Sequence, residues 1–294
     1  MRTRCRPKMQ NIQHLLTESM IQSVLPPRNS DAHKGYFGSV AIIGGDAGMV
    51  GAVLLAARTA LHCGVGRVYA VMLCIGAPRL DIFQPEIMLR TPAEIAQLPQ
   101  LNCVVIGPGL GQSSAAIELL EFWLAQNVPL LLDADALNLI ASHLHLASIV
   151  ISRNAETVIT PHPGEAAKLL ATSSEHIQKN RTESALALAR TLQVTCVLKG
   201  AGTICAQHDG SWFINTSGNV GLASGGTGDV LSGIIGSLMA QGLTALEAAK
   251  TGVYVHGAAA DALVKKGVGP AGLTASEVAL EARNIINMLN KMSD

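Results

Sequence analysis

The sequence predicts an α/β protein: a mostly parallel central sheet with helices on both faces. Three observations lead there. Short apolar, β-branched runs alternate with alanine-rich segments of helical length across most of the 294 residues, a rhythm that packs a parallel sheet between helical layers. The apolar runs end in glycine-rich turns, as buried strands do. The core must also be aliphatic, because hydrophobic residues make up 49% of the chain and aromatics only 3%.

Residues 1–25 read as a tail with a short helix within "NIQHLLTESMIQSVL", and residues 26–294 as a single domain. "PPRNSDAHKGYFG" (26–38) is an opening loop rich in turn formers. "SVAIIGG" (39–45) is a buried strand stopped by glycines, and "VGAVLLAARTALHCGVG" (50–66) a helix ending on glycine. "RVYAVML" (67–73) is the second strand. "NCVVIGPGLG" (102–111) reads as strand and turn, followed by a helix around 114–126. "VPLLLDADAL" (128–137) is a strand ending in acids, and "TVITPHPGEAAKLL" (157–170) a strand, turn and helix. One helix is expected over 175–192, a strand in "VTCVLKG" (194–200), and a hairpin over 202–215 turning at Asp209-Gly210. Three helices, at about 227–241, 244–264 and 274–291, finish the chain.

Basic and acidic residues balance at 21 each, which gives no sign of a nucleic-acid or membrane-surface binder. The cysteines Cys5, Cys63, Cys74, Cys103, Cys196 and Cys205 are scattered, form no CxxC pair and lie mostly in apolar runs. Buried free thiols in a reducing cytoplasm are expected, not disulfides or zinc. The mean hydropathy of +0.34 comes without any uninterrupted apolar stretch long enough to span a membrane. The basic opening "MRTRCRPKMQ" leads into no apolar segment, so it reads as a ragged start.

The residues with chemistry recur at the carboxyl ends of the strands, where open α/β sheets bind ligands. "GGDAGMVGA", "GPGLG", "DADALN", "TPHPGE" and "KGAGT" follow strands, and "SGGTGD" follows the hairpin and opens a helix. A dinucleotide fingerprint is excluded: the first-strand glycines fall at 44, 45, 48 and 51, and the second strand ends without an acid. In SGGTGD, Gly225, Gly226, Thr227 and Gly228 place backbone N–H groups at a helix start, forming an anion cradle. Asp229 then stands where a base would deprotonate a hydroxyl attacking a cradled phosphoryl group; the plain alternative is a carboxylate complementing the helix dipole. Asp133 and Asp135 could position Mg²⁺ or polar substrate atoms, or form an Asx turn. Glu165 could hold Mg²⁺ through water, or serve as a first-turn dipole residue. His162, between two prolines, reads as a ligand contact, and Lys199 as a contact to a nucleotide phosphate. His256, among small apolar residues of the segment that also carries Asp261, reads as packed.

"DAHKGYFGSVAIIGGDAGMVGAVLLAARTALHCGVGRV", "VVIGPGLG", "LLLDADALNLI", "VITPHPGEAAKLL", "VLKGAGTIC" and "GNVGLASGGTGDVLSGIIGSLMAQGL" together resemble the ADP-dependent NAD(P)H-hydrate dehydratases. The blocks come in the family's order over roughly residues 26–290. The resemblance implies a ribokinase-like three-layer sandwich and a repair lyase that dehydrates the S epimer of NADH or NADPH hydrate at the expense of ADP. It implies Asp229 as the base, with Ala52, Gly111 and His162 beside it around the hydrate. Lys199, Gly200, Ala201, Gly202, Thr203 and Gly225 to Gly228 would hold the adenine nucleotide. Mg²⁺ is implied on the nucleotide, with Glu165 its indirect contact, and ATP is a possible replacement for ADP. A cytoplasmic homotetramer, and an epimerase on a separate protein, are the further expectations. The alternatives are a vitamin or hydroxyethylthiazole-type kinase of the same fold and a non-catalytic nucleotide-binding protein.

Overall fold

The computed structural model describes residues 14–25, 28, 34–98 and 100–291. The expected tail, the start of the first helical segment and Asp31–His33 of the opening loop lie outside them. The first half runs α1 (Glu18–Gln22), β1 (Ser39–Gly44), α2 (Val50–His62), β2 (Arg67–Met72), β3 (Met88–Arg90), α3 (Pro92–Ile95), β4 (Cys103–Ile106) and α4 (Ser114–Leu124). Then come β5 (Leu130–Leu132), α5 (Asp135–Ser142), α6 (Leu144–Ser152), β6 (Thr157–Ile159), α7 (Pro163–Leu169), α8 (Ser174–Lys179) and α9 (Arg181–Leu192). The chain finishes with β7 (Thr195–Leu198), β8 (Thr203–Ala206), β9 (Trp212–Asn215), α10 (Thr227–Ala240), α11 (Ala245–Lys265) and α12 (Ala275–Lys291).

The strands form one sheet in the order β3-β2-β1-β4-β5-β6-β7-β8-β9. All pairings up to β7 are parallel, and β8 and β9 close the far edge antiparallel. The two-residue period of a strand divides the core. Val40 and Ile42 of β1 face a layer containing α2, α10, α11 and α12; Ala41 and Ile43 face one containing α4, α5, α6, α7 and α9. Both faces are dry, so β1 and β4 read as unbroken apolar runs.

Strand order reverses at β1: the chain moves outward through β2 and β3, then returns to lay β4 on the other side. The crevice outside the carboxyl ends of β1 and β4 is therefore the expected ligand position. Helix α10 points into it because small residues let it sit close. A Cβ on Gly233 would collide with the Ala56 carbonyl of α2, and one on Gly236 with Val105 of β4.

Several elements differ from the sequence reading. The helix expected over 175–192 is two, α8 and α9, broken at Asn180, whose backbone (φ −125°, ψ 51°) leaves the helical region. β3, α3 and α6 were not anticipated, and residues 67–73 and 102–111 form strands only over their apolar cores. The described part of the N-terminal segment docks on the sheet. The Leu16 N–H donates to the Ile214 carbonyl at 3.0 Å, and the His14 ring stacks 3.9 Å from Trp212. This covers the open edge of β9, which would otherwise present unpaired backbone groups.

Candidate active site

The loops after β1 and β4 are zipped together. Gly45 N–H donates to the Pro108 carbonyl at 3.0 Å and Asp46 N–H to the Gly109 carbonyl at 2.7 Å. Gly111 lies just beyond, at φ +75°, with a position for Cβ only 2.5 Å from Asp46 Oδ2. Any side chain there would be strained and would displace that carboxylate. The Gly111 N–H donates to Asp135 Oδ2 at 2.9 Å, so Asp135 ties the β5 turn to the β4 turn. Ala52, in the first turn of α2, has its Cβ 3.4 Å from where one on Gly109 would stand. The two small residues expected around the hydrate thus line the same pair of loops.

Next to these loops lies a polar cluster drawn from β5, β6, β7, α7 and α10. Lys199 Nζ donates to Asp133 Oδ1 at 2.7 Å, and Ser232 Oγ donates to Asp133 Oδ2 at 2.7 Å. Burial pushes the Asp133 carboxyl up, but the Lys199 charge and the bonds from Lys199, Ser232 and Thr160 outweigh it and hold the carboxyl below its ordinary value. Burial opposes the Lys199 charge, yet Asp133 and then Glu165 raise its pKa. Asp133, itself buried, is thus paired with the half-buried Lys199 ammonium.

His162 caps α7. Its Nδ1 accepts from the Gly164 N–H at 2.9 Å and the Glu165 N–H at 3.3 Å, while Glu165 Oε2 accepts the His162 N–H at 2.7 Å. Because Nδ1 is an acceptor, the ring proton sits on Nε2, 3.3 Å from Glu165 Oε1. Burial and the nearby Lys199 charge lower the His162 pKa, so the ring is neutral at pH 7. The Glu165 carboxylate completes this cap, and its burial pushes its pKa up to about 7 against the pull of Lys199, 3.9 Å away.

Gly226 caps α10 in the left-handed region at φ +86°, with a Cβ position 2.5 Å from Leu55 Cδ1. Thr227 braces the turn by donating from Oγ1 to the carbonyls of Leu222, at 2.8 Å, and Ser224, at 2.9 Å. A Cβ on Gly228 would be 3.7 Å from Lys199 Nζ, so the helix start and the ammonium share one side of the crevice. Asp229 stands in the first turn. Burial first, and the Asp133 charge second, push its carboxyl up to about 7 against the attraction of Lys199. A helix N-terminus ordinarily favours the ionised form, whereas burial and the Asp133 charge here act against it.

The structure thus gathers Asp229, Gly228, Lys199, Glu165 and His162 around Asp133. Gly200 and Ala201 stay exposed on the β7–β8 turn, with Thr203 Oγ1 bonded inside it to the Gly200 carbonyl at 2.9 Å. Sequence reasoning missed Ser232 and Thr160. Ser232 carried a legible signal: it follows Asp229 by three residues on a helix, which puts both on one face. His256 is buried and hydrogen-bonded to the Thr227 backbone, and burial drives its pKa down to about 4. Asp261 accepts from the Gly218 N–H at 2.8 Å and from Asn219 Nδ2 at 3.0 Å, bracing the loop that leads to the cradle.

Among the described residues no group of three or more His, Cys, Asp or Glu side chains could hold a metal ion. The donors that do converge are carboxylates with one ammonium. They fit a hard cation that keeps most of its shell as water and phosphate oxygens, as Mg²⁺ does on a nucleotide.

A helix N-terminus with a left-handed glycine cap, a half-buried ammonium and a carboxyl poised near neutrality, gathered at the carboxyl ends of the strands, make an anion-binding crevice on a fold of the ribokinase-like class. The comparisons narrow the class: the profile of the NAD(P)H-hydrate dehydratase family matches residues 40–281, and the chain belongs to that family. It is 42% identical over 283 residues to the ADP-dependent (S)-NAD(P)H-hydrate dehydratase of Neisseria meningitidis serogroup B, covering 95% of each chain. It is 40% identical over 268 residues to a bifunctional NAD(P)H-hydrate repair enzyme of Coxiella burnetii, matching 90% of this chain but 53% of that longer protein. The fold superposes with a TM-score of 0.80 on the ADP/ATP-dependent NAD(P)H-hydrate dehydratase of Bacillus subtilis co-crystallised with ATP and Mg²⁺, at 28% identity over 98% of this chain and 100% of that one.

Proposed function

We propose that this protein is an ADP-dependent (S)-NAD(P)H-hydrate dehydratase, returning the S epimer of hydrated NADH or NADPH to the dihydronicotinamide while ADP becomes AMP and phosphate. The observation that carries the reading is Asp229: a half-buried carboxyl in the first turn of α10, next to the glycine cradle and to Lys199, with burial pushing its pKa up to about 7. A general base works best when poised near the operating pH.

The chemistry follows from the poor leaving ability of hydroxide. Asp229 takes the proton of the hydrate hydroxyl, whose oxygen attacks the terminal phosphorus of ADP; the bond to the AMP oxygen breaks. The N–H groups of Gly225 to Gly228 and the Lys199 ammonium stabilise the charge on the moving phosphoryl group. The ring nitrogen lone pair then expels phosphate from the hydroxyl-bearing carbon. Loss of a proton from the adjacent carbon restores the ring double bond. Ala52, Gly111 and His162 line the hydrate beside Asp229, small where the ring approaches backbone and neutral where His162 presents Nε2. Lys199, Gly200, Ala201, Gly202 and Thr203, with the cradle, hold the adenine nucleotide. When bound, Mg²⁺ neutralises phosphate oxygens, and Glu165 is the residue that would hold it through water. The enzyme acts in the cytoplasm as a homotetramer, with the domain extending over residues 26–294. An NAD(P)H-hydrate epimerase supplies the S epimer, and ATP is the alternative donor.

The test is direct. Purified protein is incubated with S-NADPH hydrate, Mg²⁺ and either ADP or ATP, and the near-ultraviolet band of the dihydronicotinamide is followed. Return of the band with stoichiometric AMP supports the reading. A stable phosphoester on a small alcohol, with no band, would instead assign a kinase of the same fold.

A further inference from the structure

Arg181 opens α9 and lies beneath the β7–β8 turn. Its Nη2 donates to three carbonyls of that turn, Leu198 at 3.0 Å, Lys199 at 3.3 Å and Gly202 at 3.3 Å, and its Nη1 to Gln178 Oε1 at 3.2 Å. Gly200 passes directly over the guanidinium at φ +139°: a Cβ there would stand 2.9 Å from Nη1. The same turn carries Lys199, whose ammonium meets Asp133 inside the site. Nothing in the chemistry above uses Arg181, and its planar fork is spent on backbone, a use a lysine cannot reproduce.

We propose that Arg181 is a positioning residue for the nucleotide, acting through the backbone of residues 198–202; this rests on the assignment of Lys199 to Thr203 as the nucleotide loop. The C=O of one residue and the N–H of the next are antiparallel across a trans peptide. Holding the Leu198 and Lys199 carbonyls on the guanidinium therefore turns the N–H groups of Lys199 and Gly200 the opposite way. The Lys199 N–H is used by the Pro161 carbonyl at 2.9 Å, which ties the turn to the loop carrying His162. The Gly200 N–H is left facing away from the guanidinium on an exposed residue, available to a phosphate or ribose oxygen. A fixed positive charge under the turn also favours an anion above it. Without the fork, three carbonyls lose their shared donor, and a turn made of two glycines and an alanine regains its freedom before each binding event.

The experiment compares wild type with Arg181→Gln and Arg181→Lys, measuring ADP and AMP binding by calorimetry, KM for ADP and for S-NADPH hydrate, and Tm. Loss of one charge-assisted anchor predicts a nucleotide Kd raised about tenfold, with a much smaller change in hydrate KM. Arg181→Lys falls between the two, and added guanidinium ion partly restores ADP affinity in Arg181→Gln. Arg181→Lys gives the same comparison if Arg181→Gln does not fold. A parallel fall in Tm, both KM values and kcat, without guanidinium rescue, would reduce Arg181 to a structural brace and overturn the proposal. Wild type that binds no adenine nucleotide would instead remove the loop assignment on which it rests.

Discussion

Asp229→Asn sets stability and activity against each other. The wild-type carboxyl is pushed from an ordinary 3.8 to about 7, so ionising it in the folded state costs on the order of 4 kcal/mol relative to the unfolded chain. The sign follows from the raised value: the penalty is fully present above about 7, shrinks as pH falls through that point, and is absent below the ordinary 3.8. Asparagine has the same shape and no charge, so it escapes the penalty. At pH 8 the variant is expected to be more stable than wild type by roughly 2–4 kcal/mol in urea unfolding, with the gain fading toward pH 4. The same change removes the base and should lower kcat by about 10²–10⁴. An Asp229→Asn protein that is less stable at pH 8, or that turns over at the wild-type rate, would refute the argument that this carboxyl is held strained for catalysis.

Other outcomes follow from the same geometry. Lys199→Met leaves Asp133 buried without its cation and should cost about 3–5 kcal/mol in urea unfolding. It should also move the acid limb of the kcat/KM profile above its wild-type position near 7, because Lys199 is what restrains Asp229. Ser232→Ala removes a 2.7 Å bond to the same carboxylate and should cost about 1.5–3 kcal/mol, read by the same melts. Gly226→Ala forces a side chain into a left-handed position against Leu55. That should destabilise by about 1–3 kcal/mol and raise the nucleotide KM while the hydrate KM moves less.

What the sequence made legible was whatever a single residue type enforces locally. Val40 to Ile43 and Val104 to Ile106 announce buried strands because both faces are covered, and Gly226 or Gly111 announces a tight turn because few other residues adopt its φ. Asp229 was legible because three glycines and a threonine precede it. The break between α8 and α9 was not, since Asn180 offers neither proline nor glycine. β3 is three residues long, too short for any period to show. The environment of Asp133 depends on Ser232, 99 residues away, and on Lys199, 66 residues away. Partners at such separations leave no mark in a local pattern, which is why the ion pair of Asp133 with Lys199 was not read from the sequence. Arg181 was silent for the same reason: its role is written in the backbone it holds.

The strap across β9 has a consequence for how the chain is made. His14 and Leu16 find their partners at Trp212 and Ile214, about two hundred residues further on. On a ribosome, almost the whole sheet must emerge before the first described residues have anywhere to go. Until then β9 does not exist, and Leu15 and Leu16 have no sheet edge to cover. Closure of this edge is a late event by necessity of topology. A chain cut short before β9 would carry its own unpaired strap, a built-in mark of an unfinished protein.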